Sequence, residues 1–251
     1  MPYSFTLSPA AVDLLLEQQN LGRPPVPFVV PHIGITGEER RRIRDAVSRD
    51  LEGRGLVSRR GYLDDDLEQA LGTFAHGHLA ISAAAQLEDG PLFARVSSTG
   101  DHAVLVRHVD GMFVFDHVRP TGLVPAVVDL IPPATPGPGT SVTITRAPKQ
   151  PRRGDAYDPF ARASAPRDPQ ARAVERIFEK PRLRVGQFSV VGAGGASGVG
   201  GQQPLVWFDT EAGRYLLSTR VADDGQRWLT YAPADNSRLA QQLSAQVPAN
   251  A

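Results

Sequence analysis

Four clusters hold residue types that could do chemistry. The first is the glycine loop Gly192-Ala193-Gly194-Gly195-Ala196-Ser197-Gly198-Val199-Gly200-Gly201-Gln202-Gln203. Gly192, Gly194 and Gly198 follow a predicted strand, as in a dinucleotide fingerprint. A phosphate cradle then needs a helix N-terminus, but Pro204 and a strand follow, and no Gly-Lys-Ser/Thr occurs. The loop reads as a hairpin connection. The second cluster is His76-Gly77-His78 with His102 and His117. Its i, i+2 pair sits at a helix-to-strand junction, and no acidic residue has the spacing of a metal ligand. These histidines read as structural. The third is the carboxylates Asp64-Asp65-Asp66 and Asp223-Asp224, which suit a helix cap and a turn. The fourth is Arg40-Arg41-Arg42 with Arg44, either a phosphate-contacting face or a solvated one balanced by Glu38, Glu39 and Asp45.

There is no Gly-x-Ser-x-Gly, no His-Glu-x-x-His and no cysteine. An enzyme reading has no residues to stand on, and no cofactor or metal is implied. Lys+Arg and Asp+Glu both total 27, so the net charge is zero. A neutral chain lacks the basic footprint of a nucleic-acid binder. No apolar run approaches the ~20 residues that span a bilayer, and no secretory signal is visible at the N-terminus. The expectation is a cytoplasmic protein, a monomer or weak dimer. Its 251 residues, 41% hydrophobic and 22% charged, are enough for two small halves around one core.

The elements that position these residues occur twice. Strands are predicted at 79–85, 92–98, 103–109 and 112–118, then an amphipathic segment to Ile131. Strands at 183–191, 205–208, 215–221 and 227–231 follow later, then a helix with Leu239, Leu243 and Val247 on one face, capped by Asp235 or Asn236. An amphipathic helix precedes each set, at 65–74 and at 169–178. Asp110-Gly111 makes a two-residue hairpin that puts Val104, Val106, Phe113 and Phe115 on one face. Further upstream lie a short edge strand at Phe5-Thr6-Leu7, a helix begun by Ser8-Pro9, an extended proline-rich strap at 23–32 and a capping-box helix from Thr36. The repetition predicts a duplicated unit. Residues 1–131 form one half and 169–251 the other, sharing one sheet, with 132–168 a Pro/Arg-rich linker. Helices at 37–53 and 65–75 before strands also look superficially like a winged helix. A DNA-binding regulator is therefore the rival reading.

Several stretches resemble one family. Trp207-Phe208-Asp209-Thr210-Glu211-Ala212-Gly213-Arg214-Tyr215-Leu216, Gly186-Gln187-Phe188 and Trp228-Leu229-Thr230-Tyr231-Ala232-Pro233-Ala234-Asp235 are similar to the EspG family of ESX (type VII) secretion-associated proteins of actinobacteria. So are Val30-Pro31-His32 through Arg54-Gly55-Leu56-Val57, and Asp116 to Pro133. The resemblance implies an α+β fold, a central antiparallel sheet with helical bundles related by a pseudo-twofold. It implies a cytosolic chaperone without enzymatic activity that binds the PPE tip of a PE–PPE heterodimer or a similar helical ESX substrate. It also implies a partner surface on a loop between two early strands and on the C-terminal half. Here that is the loop Leu87-Glu88-Asp89-Gly90-Pro91, the glycine loop through Gly194, Gly195, Gln202 and Gln203, and Arg172 and Arg176 on the helix 169–180. The expectation is that these three segments form one groove.

Overall fold

The computed structural model describes residues 3–146, 172, 175, 177, 179–192, 203–222 and 225–248. Strands β1 (Ser4–Leu7), β2 (Leu79–Leu87), β3 (Gly90–Ser98), β4 (Ala103–Val109), β5 (Met112–Val118), β6 (Val142–Arg146), β7 (Arg184–Val191), β8 (Leu205–Thr210), β9 (Gly213–Val221) and β10 (Arg227–Pro233) join in one ten-stranded sheet. Its order is β1-β5-β4-β3-β2-β7-β8-β9-β10-β6. Every pairing between these strands is antiparallel. Two four-strand meanders meet at β2 and β7. Each is closed on its outer side by a strand from earlier in the chain, β1 on β5 and β6 on β10. The order therefore has the same form from either end. Its centre is the pair Ala83↔Phe188, in a register running from Ala80↔Val191 to Gln86↔Val185.

Local chemistry sets the connections. Asp110 and Gly111 take φ of 50° and 76° in the hairpin that pairs Val109 with Met112, as the sequence predicts. Helix α1 (Pro9–Gln18) starts at Ser8, whose hydroxyl accepts from the Ala11 N–H. Helix α2 (Gly37–Gly53) starts at Thr36, whose oxygen accepts from the Glu39 N–H. The Glu39 carboxylate reaches back one residue further than a capping box requires, to the Ile35 N–H at 3.0 Å. Gly55, at φ 73°, ends this helix and sends the Leu56 N–H to the Leu51 carbonyl at 2.9 Å. Helix α3 (Asp65–His76) is capped by Asp64.

The two faces of the sheet are covered differently. On one, Leu79, Ile81, Ala83, Val96, Phe188, Leu205 and Trp207 are buried with Leu123, Val127 and Val128 of α4 (Leu123–Val128). Leu239 and Leu243 of α5 (Asn236–Ser244), capped by Asp235, complete that layer. This cluster crosses the centre of the sheet and ties the halves together. The other face is covered only on its flanks, among the described residues. Val104, Val106, Phe113 and Phe115 pack with α1, α3 and Phe28 of the strap. Val206, Phe208, Leu217 and Leu229 pack with Tyr231, Ile144 and the helical residue Ile177.

One expectation needs correction. The stretch 132–168 is not wholly a linker, because Val142–Arg146 is the edge strand β6, paired from Val142↔Tyr231 to Arg146↔Arg227. Alternating Val-Thr-Ile-Thr supplies β-branched side chains, and Ile144 is buried against the sheet. Upstream, Gly137 passes directly over the Tyr215 ring, where a Cβ would lie 2.2 Å from Cζ.

Candidate docking surface

Between the covered flanks, the centre of the second sheet face is, among the described residues, an open strip. Along β3, β2, β7 and β8 its side chains run Phe93, Ala84, Gln187 and Val206 in one row. Gln86 and Gln187 are exposed and Ala84 is half-buried. A groove of about 350 Å³ opens here, lined by Ala84, Gln86, Pro91, Phe93, Gln187 and Val206 among others. Three inter-strand spacings make the strip roughly 14 Å wide, close to the ~10–12 Å diameter of one α-helix with side chains. Within that row Ala84 keeps the floor low, whereas Gly186 faces the opposite side of the sheet, where a Cβ would lie 2.7 Å from both the Ala85 Cβ and the Trp207 Cζ2.

One end of the strip is the β2–β3 connection. The sequence predicts a loop over 87–91, but the ladder closes as far as Leu87↔Gly90 and Gln86↔Pro91. Only Glu88 and Asp89 form the turn, with Gly90 at φ 127°. The turn is tethered to the other half: Arg184 Nη2 donates to Glu88 Oε1 at 2.9 Å, and Arg184 Nη1 lies 3.4 Å from Asp209 Oδ2. Asp209 in turn accepts from Arg214, whose side chain is fully buried. Arg214 also donates to Asn236 Oδ1 and to the Pro132 carbonyl, and lies 4.6 Å over the Trp207 ring. A salt-linked chain thus runs from the buried interior to the exposed turn.

The register separates two of the predicted segments. Gln86 pairs with Val185 while Ala80 pairs with Val191, so the β7–β8 connection leaves from the opposite end of the strip. Six residues at ~3.3 Å each put roughly 20 Å between the two ends. The 87–91 turn and the exit of β7 toward residue 192 therefore stand at opposite ends of the central strands, because antiparallel neighbours put their successive connections at opposite ends. Gln203 is half-buried, and its carbonyl accepts from Gln246 Nε2 at 3.5 Å. Arg172 is helical and exposed on the flank that carries Ile177. Gly194, Gly195, Gln202 and Arg176 lie outside the described residues, as do Asp223 and Asp224.

The other clusters resolve into structure. Arg40 is not on a solvated face. It donates to Asp13 Oδ2 at 2.8 Å and to Glu17, docking α2 on α1. Arg42 pairs with Glu38, and Arg44 lies 3.9 Å from Glu17. Within the run, Arg40 is engaged in the fold, while Arg41 and Arg42 stay on an exposed face, Arg42 balanced by Glu38. Among the described residues no group of three His, Asp or Glu is placed to hold a metal. Nor is any helix among them long and apolar enough to cross a membrane.

One residue on this face was not anticipated. Arg95, in the row next to Phe93, is only 7% exposed, yet no carboxylate among the described residues pairs with it. Its Nε donates to Ser97 Oγ at 3.1 Å, and its Nη1 to Ser82 Oγ at 3.0 Å and to the Val26 carbonyl at 3.2 Å. Burial among neutral acceptors lowers its pKa to about 10, so it stays a cation at neutral pH.

The comparisons with known proteins agree with this architecture. The EspG family pattern matches residues 8–245, and the chain belongs to that family. Among solved structures, it is similar to the type VII secretion system chaperone EspG5 of Mycobacterium tuberculosis, determined in complex with a PE25-PPE41 dimer. The TM-score is 0.65 at 11% sequence identity, over 98% of each chain. No curated protein matches the sequence. The family and the α+β fold expected from the sequence are both borne out.

Proposed function

We propose that this protein is a cytoplasmic type VII secretion chaperone. It binds a helical secretion substrate of the PE–PPE class, keeps it soluble and delivers it to the secretion machinery. It does this by binding alone, without catalysis. The observation that carries the reading is membership of the EspG family along nearly the whole chain, shared with a chaperone captured on a PE–PPE dimer. The open strip supports it physically. An apolar groove about one helix wide, flanked by polar positions, suits recognition of a helical tip.

The test is co-expression with the PE–PPE pairs encoded in the same genome, followed by affinity capture and size-exclusion chromatography. The expected result is a stable complex containing one PE–PPE dimer. Recovery of the chaperone alone, with the PE–PPE dimers soluble without it, would overturn the reading.

A further inference from the structure

Arg95, at the edge of the open strip beneath the Val26 carbonyl, is a cation with no counter-charge among the described residues. Arg95 offers five N–H donors; those on Nε and Nη1 meet two serine hydroxyls and one carbonyl. Nη2 makes no hydrogen bond among the described residues and is not sealed from solvent. A buried guanidinium held by neutral acceptors carries a desolvation cost that only an anion offsets well.

The fold does not require an arginine there. About the central pair Ala83↔Phe188, the pair Ser82↔Arg95 corresponds to Gln187↔Val206. Arg95 and Val206 therefore stand at equivalent places on the same face. In the second half a buried valine fills the position, 4% exposed. The cation is thus an addition to the scaffold, adjacent to the groove row Phe93, Ala84, Gln187 and Val206.

We infer that Arg95 is a carboxylate-binding site, which takes an Asp or Glu side chain of the helical substrate lying in the open strip. The inference rests on the chaperone reading and deepens it: the docked helix carries an acidic residue beside the apolar ones that fill the groove. Guanidinium and carboxylate form a charge-assisted pair, and the partly desolvated setting strengthens it.

The test measures affinity for a PE–PPE dimer purified from its complex with the wild-type chaperone, at two salt concentrations. Arg95→Gln is expected to bind roughly tenfold to hundredfold more weakly, with a smaller salt dependence. Arg95→Lys is expected to keep most of the affinity. Ser82→Ala, which removes the hydroxyl bridging to Val26 but keeps the cation, is expected to bind within about twofold of wild type. Melting temperatures of all three identify any variant that fails by unfolding, and Arg95→Lys then decides. Wild-type affinity in Arg95→Gln, or equal losses in Arg95→Gln and Ser82→Ala, overturns the carboxylate site and leaves the chaperone reading intact. If wild type binds no PE–PPE dimer but retains another acidic helical substrate that Arg95→Gln loses, the PE–PPE reading falls and the site stands. Retention of no such substrate overturns both.

Discussion

Arg214 reaches back across the β8–β9 turn and grips Asp209 with two nitrogens, Nε at 2.6 Å from Oδ1 and Nη2 at 2.9 Å from Oδ2. Both residues are buried. A bidentate pair in a low-dielectric setting is directional, and its removal leaves one charge stranded. Arg214 is also a backbone junction: its carbonyl accepts from Gly137 and Ala234, and its N–H donates to Thr135. The side chain thus fixes the turn against the two segments that carry α4 and α5 into place.

Arg214→Met is expected to cost about 3–5 kcal/mol, because Asp209 then keeps only the longer contact to Arg184. Asp209→Asn should cost a similar amount, with Arg214 stranded. The paired change Asp209→Asn with Arg214→Met should cost less than the two single losses added. Urea unfolding of the four proteins measures this. Additive losses would mean that the residues act independently, against the geometry.

Asp13 gives the protein an acid-sensitive joint. Burial pushes its pKa up, but the hydrogen bond from Arg40 and the Ile33 N–H outweigh burial and hold it below the ordinary 3.8. The group is more acidic folded than unfolded, so its stabilisation is complete above the unfolded value. It is lost as pH falls below 3.8 through the folded value. Asp13→Asn should therefore be less stable than wild type by about 1–3 kcal/mol at pH 7. The gap should narrow steadily below pH 4. Urea unfolding at pH 7, 5, 4 and 3 tests it, and a gap independent of pH would exclude the ion pair as its source.

The fold was legible wherever period and turn chemistry agreed. Asp110-Gly111 set its own register, and Leu239 with Leu243 marked the buried stripe of α5. Three features were harder. Strand β6 is short and sits among prolines, so the composition of 132–158 outweighed the β-branched Val-Thr-Ile-Thr signal. Arg40 extends the stripe of Ile43, Val47 and Leu51 by one turn, which places it toward α1. Its neighbours Arg41 and Arg42 hid that spacing. Arg95 was readable too: it shares a strand face with Phe93, between the alternate residues Ala94 and Val96 that face the other way. What the sequence could not convey was the central register. Only the pairing of β2 with β7 reveals that the two candidate loops leave the sheet at opposite ends.

Gly186 should tolerate no side chain. It sits in β7 opposite Ala85 and Trp207, and a Cβ there meets Trp207 Cζ2 and Ala85 Cβ at 2.7 Å each. Trp207 is fully buried and cannot swing away without disturbing the core beneath α4 and α5. Gly186→Ala is expected to destabilise by about 1–3 kcal/mol through overpacking. Trp207→Leu should recover part of that cost in the double variant, since the atoms in conflict are gone. Thermal unfolding of the two single variants and the double variant checks the coupling.

The separation of the turn and the glycine connection makes a prediction about binding. Glu88 is exposed, and its ion pair with Arg184 is worth at most about 1 kcal/mol to stability. Glu88→Ser with Asp89→Asn keeps turn-forming residues, so its melting temperature should stay close to wild type. If the substrate uses this end of the strip, the variant should bind a PE–PPE dimer severalfold more weakly. Gln203→Ala probes the far end, roughly 20 Å away. Sites that far apart with no shared partner act additively within about 0.3–0.5 kcal/mol. The combined variant should therefore lose the sum of the two binding losses. A coupling above about 1 kcal/mol would mean that the substrate draws both ends into one groove. A strip with independent ends predicts none.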